Sequence, residues 1–156
     1  MFKRKILSVI LTLVMATGIL SGCNKSTATN STGKPIDGIY KVEYENYDAH
    51  SYKGQLELTV NGSKITDVKY DEISKDGTFK SKDEKYRKSM EEQTKTYPEK
   101  AYIELKAQLL SKQTSKIDAV SGATASSDNF KVLAKYALDN MAVKGTTTPA
   151  KIKATK

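Results

Sequence analysis

The sequence predicts an α+β fold in which a small antiparallel sheet, a meander, packs with two or three helices. Apolar and polar residues alternate over residues 40–44 and 55–60, which is the two-residue period of half-buried strands. The Asn61-Gly62 pair follows the second run directly and is a strong signal for a hairpin turn. After residue 98 the apolar positions recur every three or four residues, as on the buried face of a helix. We therefore expect a single domain over residues 36–144, with its sheet formed from the first half.

The first residues of the chain have the pattern of an export signal. Three basic residues are followed by an apolar run over residues 6–20, which is short for a membrane-spanning helix. We therefore interpret residues 1–22 as a secretory signal peptide. The tetrapeptide that ends in Cys23 resembles the lipobox of bacterial lipoproteins, in which cleavage precedes a diacylated cysteine. The alternative is an uncleaved N-terminal anchor with a chance cysteine.

Residues 23–35 are predicted to form a flexible tether from the lipidated Cys23. The stretch over residues 24–34 is polar, contains no large apolar residue and cannot contribute to a core. Cys23 is the only cysteine, so an internal disulfide is excluded. These features predict a lipid-anchored protein on the extracytoplasmic face of the cell membrane. Without the three basic residues of the leader, the net charge falls from +8 to +5, which is moderate and dispersed. An exported chain without a basic-aromatic stripe is not expected to bind nucleic acid.

The strands are predicted to form a meander over residues 38–72. Tyr40 begins the first alternation, and residues 55–60 form the second. On the far side of the turn, Ile65, Val68 and Tyr70 continue the apolar face, but the spacing changes between the first two. That change of face predicts a β-bulge in the third strand.

Two or three helices are predicted in the second half of the chain. The charged stretch over residues 75–88 leads into a helix over residues 84–95 and is either a docking patch for a redox partner or a solvated face. Pro98 suits the first turn of the next helix, and Asp128 lies near the start of the last one. Residues 145–156 are predicted to be a disordered tail. The apolar stripes consist of Ala101, Tyr102, Leu105 and Leu109 in one helix and Phe130, Leu133, Ala134, Ala137, Leu138 and Met141 in the other.

Catalytic and metal-binding residues are not predicted anywhere in the chain. His50 is the only histidine, and no Cys/His spacing typical of a metal site occurs. The Asp71-Glu72 pair is interpreted as ordinary surface charge. Neither a nucleophile elbow nor a phosphate-binding P-loop motif is present.

A stretch of small residues before the last helix is the strongest candidate for a binding site. Residues 117–120 are predicted to be the end of a short strand, and a helix follows, so backbone N–H groups and a helix dipole converge there. Such a junction suits a phosphate. Thr124 lies beside it, and its hydroxyl can cap the helix, bind the phosphate or be esterified by it. The alternative is a small-residue turn in which Ser126 or Ser127 is the N-cap of the helix.

Six residues of this stretch match the flavinylation motif D-x-x-[ST]-G-A-[TS]-x-x-[ST]. The chain therefore resembles the FMN-binding domain family, in which a threonine carries FMN through a phosphoester bond. That family includes flavin-carrying lipoproteins of extracellular electron transfer. It also includes peripheral subunits of the sodium-translocating NADH:quinone reductase and of the related ferredoxin-linked complex. The matching residues are Asp118, Ser121, Gly122, Ala123, Thr124 and Ser127.

The resemblance implies a covalent FMN on Thr124, attached by a separate FAD-dependent, magnesium-requiring flavin transferase. Ser121 and the amides around Gly122 and Ala123 are then expected to place the phosphate, while Asp118 and Ser127 hold the turn or are read by the transferase. For the flavin ring, an aromatic surface is expected. The candidates Tyr40, Tyr44 and Tyr70 are open to a second interpretation, ordinary packing on the sheet face.

The function that the resemblance implies is that of an electron carrier without a substrate site of its own. Electrons are expected to come from membrane quinol or a quinone-linked NADH dehydrogenase and to pass to extracellular acceptors such as ferric iron or free flavins. Two alternatives remain at this point. One is a lipoprotein that binds FMN or another small ligand noncovalently, and the other is a wall-associated structural lipoprotein.

Overall fold

The computed structural model describes residues 33–154. The signal peptide predicted over residues 1–22, the lipidation predicted at Cys23 and most of the tether predicted over residues 23–35 lie outside the described residues. Within residues 33–154, no helix has the length and apolar character needed to cross a membrane. The described part folds as a four-stranded sheet packed with three helices, so the predicted α+β class is confirmed.

Three strands form the predicted meander: β1 (Gly38–Tyr44), β2 (Tyr52–Asn61) and β3 (Lys64–Ser74). Each pairs antiparallel with the next along the chain. The turn between β2 and β3 is centred on Gly62 and Ser63, one residue later than the Asn61-Gly62 signal suggests, because Asn61 pairs with Lys64. Both central residues have φ +59°, and the carboxylate of Asp37 accepts both of their N–H groups at 3.0 and 2.9 Å.

The predicted bulge in β3 is present. Thr59 of β2 pairs with Asp67, whereas the next residue, Val60, pairs with Ile65, so Thr66 is the extra residue. The extra residue brings Ile65 and Val68 to the same buried face, at 4% exposure each. The change of spacing in the sequence therefore has a direct structural cause.

The prediction of a disordered tail over residues 145–156 is wrong for its central part. Residues Ala150–Ile152 form a short strand, β4, that pairs in parallel with β1, so the sheet is mixed and has the order β3-β2-β1-β4. The N–H of Glu45 donates to the carbonyl of Ile152 at 2.8 Å and extends this pairing. The folded domain consequently continues beyond residue 144.

The helices are α1 (Glu84–Thr94), α2 (Pro98–Lys112) and α3 (Thr124–Tyr136). A short 3₁₀ turn over Lys80–Lys82 precedes α1, and α3 continues through a π-helical turn to Gly145, which has φ +66°. Two expectations need correction. The last helix begins at Thr124 and not near Asp128, and residues 117–120 have no regular secondary structure and pair with no strand in the described part of the chain.

One face of the sheet packs against α2 and α3, and the other face is open. Both predicted apolar stripes face the sheet, although Leu138 is only partly buried. The open face carries ion pairs: Glu57 pairs with Lys41 at 3.0 Å and Lys69 at 2.8 Å, and Glu43 pairs with Lys53 at 2.9 Å and Lys151 at 3.1 Å. The arrangement fixes the start of α3 against the covered face of the sheet, next to α1.

Candidate functional site

A tight turn connects residues 117–120 to α3. The N–H of Ala123 donates to the carbonyl of Val120 at 3.0 Å, and Gly122 has φ +77°. A Cβ at Gly122 would lie 2.7 Å from the Cβ of Thr94 and 3.0 Å from the carbonyl oxygen of Thr94. Glycine is therefore required here both by the backbone conformation and by the close approach of α1.

Ser127 holds this turn from inside. Its hydroxyl donates to the carbonyl of Ala123 at 2.8 Å and accepts the N–H of Val120 at 3.0 Å, and the residue is fully buried. The interpretation of Ser126 or Ser127 as the helix N-cap is wrong. The N-cap position is Ala123, which has no side-chain cap, because the helix begins earlier than the apolar stripe suggests.

The first turn of α3 is open at its N-terminal end. Thr124, Ala125 and Ser126 are the first three residues of the helix, and their N–H groups have no acceptor one turn earlier. Thr124 and Ala125 are exposed, whereas Ser126 is buried. The Thr124 hydroxyl is therefore accessible at the positive end of the helix dipole.

The other two polar residues of the motif lie at the surface. Asp118 pairs with Lys112 of α2 at 2.7 Å, and this lysine holds the pKa of the Asp118 carboxyl below its ordinary value. The N–H of Asp118 also donates to the Gln108 side chain at 2.9 Å, so the segment is attached to α2 at this point. Ser121 is exposed in the turn itself.

A pocket of about 350 Å³ opens beside Thr124, between α1 and the start of α3. Tyr86 and His50 form an aromatic wall, with their ring centroids 6.5 Å apart. None of the described residues that line it is an Asp or a Glu. The lining consists of His50, Lys80, Tyr86, Ser89, Met90, Gln93, Thr94, Gly122, Ala123, Thr124, Ala125 and Ser126.

The three tyrosines considered as flavin-ring contacts lie elsewhere. Tyr40, Tyr44 and Tyr70 belong to the core, with exposures of 0%, 4% and 6%. Tyr70 stacks edge-on against Phe130, with a centroid distance of 4.9 Å. The ring-contact interpretation is therefore wrong, and the packing interpretation is confirmed. The alternation of β1 and β3 places these tyrosines on the covered face, where a ligand cannot reach them.

Glu72 was missed as a site residue, because the Asp71-Glu72 pair was interpreted as surface charge. Its side chain is 1% exposed, and its carboxylate pairs with Lys80 at 2.5 Å. The same carboxylate accepts from Ser126 at 3.2 Å and from Asn129 at 3.2 Å, so it is bonded to the first two turns of α3. The sequence does contain a signal for the burial of Glu72, because the two-residue period of β3 that buries Val68 and Tyr70 continues to Glu72.

Both members of this buried ion pair are charged. Burial by itself raises the pKa of Glu72, but the Lys80 ammonium and hydrogen bonds from Lys80, Asn129 and Tyr70 outweigh burial and lower that pKa. Burial likewise opposes the charged form of Lys80, yet the Glu72 carboxylate raises the pKa of Lys80 above its ordinary value. The pair therefore behaves as a fixed dipole at neutral pH.

The comparison with known proteins identifies the family. The sequence model described as "FMN-binding domain" matches residues 51–139, which include the turn, the start of α3 and most of the pocket lining. The chain belongs to the FMN-binding domain family. The resemblance carried by the motif is thus confirmed over more than half of the chain.

This FMN-binding domain protein is also similar to two known proteins. A protein described as a 15 kDa lipoprotein from Treponema pallidum (strain Nichols) is 36% identical over 123 residues, covering 78% of this chain and 82% of the relative. A crystal structure of a Clostridium perfringens protein superposes with a TM-score of 0.75 at 35% identity. That alignment covers 78% of this chain and 99% of the other.

The described residues fit a flavin mononucleotide in three respects. The open N–H groups of α3 suit a phosphate. The pocket volume of about 350 Å³ lies within the range of small-molecule sites. Tyr86 offers an aromatic edge beside the helix start, and Met90 offers an apolar surface on the same helix.

Proposed function

We propose that the protein is an extracytoplasmic electron carrier with FMN held covalently on Thr124 through a phosphoester. The observation that carries this proposal is the position of the Thr124 hydroxyl. It is exposed on the first residue of α3, next to open backbone N–H groups and at the rim of a pocket. No other hydroxyl of the motif combines exposure with the start of the helix, because Ser127 is buried and Ser121 precedes the helix.

The phosphate is placed by the turn and the helix start together. The N–H groups of the first turn of α3 carry partial positive charge and are free to donate to phosphate oxygens. Ser121 and the backbone at Gly122 complete the anion site. The amide of Ala123 does not take part, because its N–H already donates to the carbonyl of Val120. Thr124 itself supplies only the acceptor oxygen. The activation of that oxygen belongs to the FAD-dependent transferase, which exchanges the pyrophosphate bond of FAD for the new phosphoester and releases AMP.

The chemistry of the carrier resides in the cofactor. Bound FMN supplies one-electron and two-electron transfer, and the protein supplies attachment, orientation and electrostatics. The pocket between α1 and α3 is the seat we assign to the ring, with Tyr86, Met90 and His50 as its nearest walls. We propose no catalytic residue and no metal ligand, and we regard the protein as a carrier and not as an enzyme.

The proposed location rests on the leader and on one relative, and the proposed partners rest on the resemblance to flavin-carrying lipoproteins. The sequence carries a signal peptide pattern and the lipobox-like Cys23, and the Treponema relative is described as a lipoprotein. We propose a lipid anchor on Cys23 that holds the domain at the outer side of the cell membrane. Its electron donor is then a membrane quinone-linked dehydrogenase, and its acceptors are extracellular oxidants.

The attachment is tested by co-expressing the chain with a flavin transferase and denaturing the product. The wild type is expected to show flavin fluorescence on the protein band and a mass increase of one FMN. Thr124→Val removes the hydroxyl at nearly constant volume and is expected to abolish both signals. Thr94→Val makes the same change at the other threonine of the pocket, and this control should keep its flavin.

Three results would contradict parts of the proposal. A colourless wild type in the presence of an active transferase contradicts covalent attachment. Equal labelling of Thr124→Val contradicts the assigned residue. Flavin that copurifies with the native protein and leaves on denaturation supports the noncovalent alternative.

A further inference from the structure

Lys80 is a buried lysine at the wall of the pocket. It lies in the 3₁₀ turn before α1 and is only 3% exposed, yet it contributes to the pocket lining beside Ser126. Its ammonium lies over the rings of Tyr52 and Tyr86, 5.0 and 4.6 Å from their centroids. A lysine in such a place is costly unless a partner holds it.

The partner of Lys80 is Glu72, and the two charges lie at different distances from the pocket. Glu72 lies behind Lys80 on the covered face of the sheet and is not part of the pocket lining, whereas Lys80 is. The Glu72 carboxylate is fixed by Tyr70 at 2.9 Å and by Ser126 and Asn129 at 3.2 Å each. The positive end of this buried dipole therefore faces the pocket, and its negative end is held away from it.

The other residues that line the pocket add no negative charge to it. The chain contains 18 Asp and Glu residues, but none of the described lining residues is one of them. Helix α1 carries Glu84, Glu91 and Glu92, yet the residues it contributes to the pocket are neutral. The start of α3 adds the positive end of a second dipole. Two dipoles from different elements thus point their positive ends at the same space.

We propose that Lys80 raises the reduction potential of the flavin seated in this pocket, by favouring the more negatively charged, reduced state. This inference rests on the proposed function, since it takes FMN as the occupant. Two-electron reduction with uptake of one proton from solvent leaves the flavin with one more negative charge than before. Lys80 keeps its own proton throughout and acts only through its charge.

The test compares proteins loaded with FMN, whose reduction is followed by absorbance against a reference dye. Lys80→Met combined with Glu72→Gln removes the ion pair as a unit, because Lys80→Met alone would leave a buried carboxylate without its partner. At a fixed potential we expect the ratio of reduced to oxidised flavin to fall about tenfold, which corresponds to about 30 mV for a two-electron couple.

The matched control makes the same chemical change on the other side of the sheet. Lys53 and Glu43 form an ion pair at 2.9 Å on the open face, away from the pocket lining. Lys53→Met combined with Glu43→Gln is expected to leave the ratio unchanged. An unchanged ratio in the Lys80 and Glu72 double variant, or an equal fall in the control, would overturn the inference.

A second variant keeps the test open if the double variant does not fold. Glu72→Gln alone replaces the carboxylate by an amide whose oxygen can still accept from Lys80, and the rings of Tyr52 and Tyr86 stay beside the ammonium. Only the opposing negative charge is removed, so at pH 6 the reduced fraction should rise. A variant that only loosened the structure would not raise the reduced fraction. A fall in the Glu72→Gln protein would overturn the inference.

A second experiment separates failure of the proposed attachment from failure of this inference. Free FMN is titrated into the protein that carries no covalent flavin, once with oxidised FMN and once with FMN kept reduced in the absence of oxygen. If no covalent flavin forms but the preference for reduced FMN falls about tenfold in the double variant, attachment is contradicted and the inference stands. Covalent flavin with an unchanged potential supports attachment and overturns the inference. Absence of binding in every arm overturns both.

Discussion

Thr124 and Ser127 are hydroxyl residues three positions apart in the first turn of α3, and their surroundings differ completely. Ser127 is fully buried and uses its oxygen twice to close the turn, whereas Thr124 is exposed. The motif by itself does not separate these roles. The start of the helix does, because it places residue 124 at the open end and residue 127 against the preceding turn.

Gly122 offers a test of how firmly α1 and the turn are packed together. Gly122→Ala adds a Cβ 2.7 Å from that of Thr94 at a residue with φ +77°, so we expect a loss of about 2–4 kcal/mol in unfolding free energy. Gly77→Ala is the matched control. It has φ +88° but no atom within 4 Å, and it should lose only about 1 kcal/mol. Urea titrations measure both, and equal losses would show that the contact with Thr94 does not constrain the turn.

The ion pair of Glu72 and Lys80 predicts a defined acid sensitivity. The pKa of Glu72 is lowered in the folded state from an ordinary value of 4.5, so its contribution to stability is complete above that pH and is lost as the pH falls through the folded pKa. The double variant Lys80→Met with Glu72→Gln has no such group. Between pH 7 and pH 3 the urea midpoint of the wild type should fall further than that of the variant. Parallel profiles would contradict the charged pair.

At the scale of elements, local sequence patterns are sufficient to predict a helix or strand wherever an apolar stripe or an alternation marks its buried side. The strands of the meander, the bulge before Val68 and the second helix all follow from such periods. The start of α3 does not, because small residues show no stripe and a buried Ser127 hydroxyl sets the boundary. The burial of Glu72 is missed for a related reason. Two adjacent acidic residues suggest an exposed position unless the alternation of buried and exposed residues in β3 is extended to them.

Strand β4 was not predictable from its own residues. Residues Ala150–Ile152 are short and show no clear alternation, and the pairing partner β1 lies more than 100 positions earlier in the chain. Its formation depends on the position to which α3 and the turns after it deliver the chain. Only the assembled sheet reveals an edge that accepts a parallel strand.

Removal of β4 should destabilise the domain although the site lies elsewhere. Truncation after Thr148 exposes the edge of β1 and removes Ala150 and Ile152, which are partly buried against the core. We expect a loss of about 1–3 kcal/mol and a lower melting temperature. Truncation after Lys153 leaves β4 intact and serves as the control. A melting temperature that is the same for both truncations would contradict a structural role for the strand.

At the scale of the whole molecule, the motif and the pocket differ in how they are encoded. The motif is contiguous, so it points to a family from the sequence alone. The pocket is assembled from the segment around His50, from Lys80, from α1 and from the start of α3, which are separated by long stretches of chain. That none of the described lining residues is acidic, and that a buried lysine is among them, is seen only when these parts are brought together.

The parallel pairing of β4 also has a mechanical consequence. The chain enters the domain just before β1, and the N–H of Ile36 donates to the carbonyl of Ala142 at 2.9 Å at that entry. β1 lies between β2 and β4, so a pull on the N-terminal end along the strand direction is resisted by two ladders of hydrogen bonds. The ladder to β2 covers Gly38–Glu43, and the shorter ladder to β4 covers Val42–Tyr44. An edge strand under the same load would be held by one ladder. A domain tethered at this end is thus held by a strand that has a neighbour on each side.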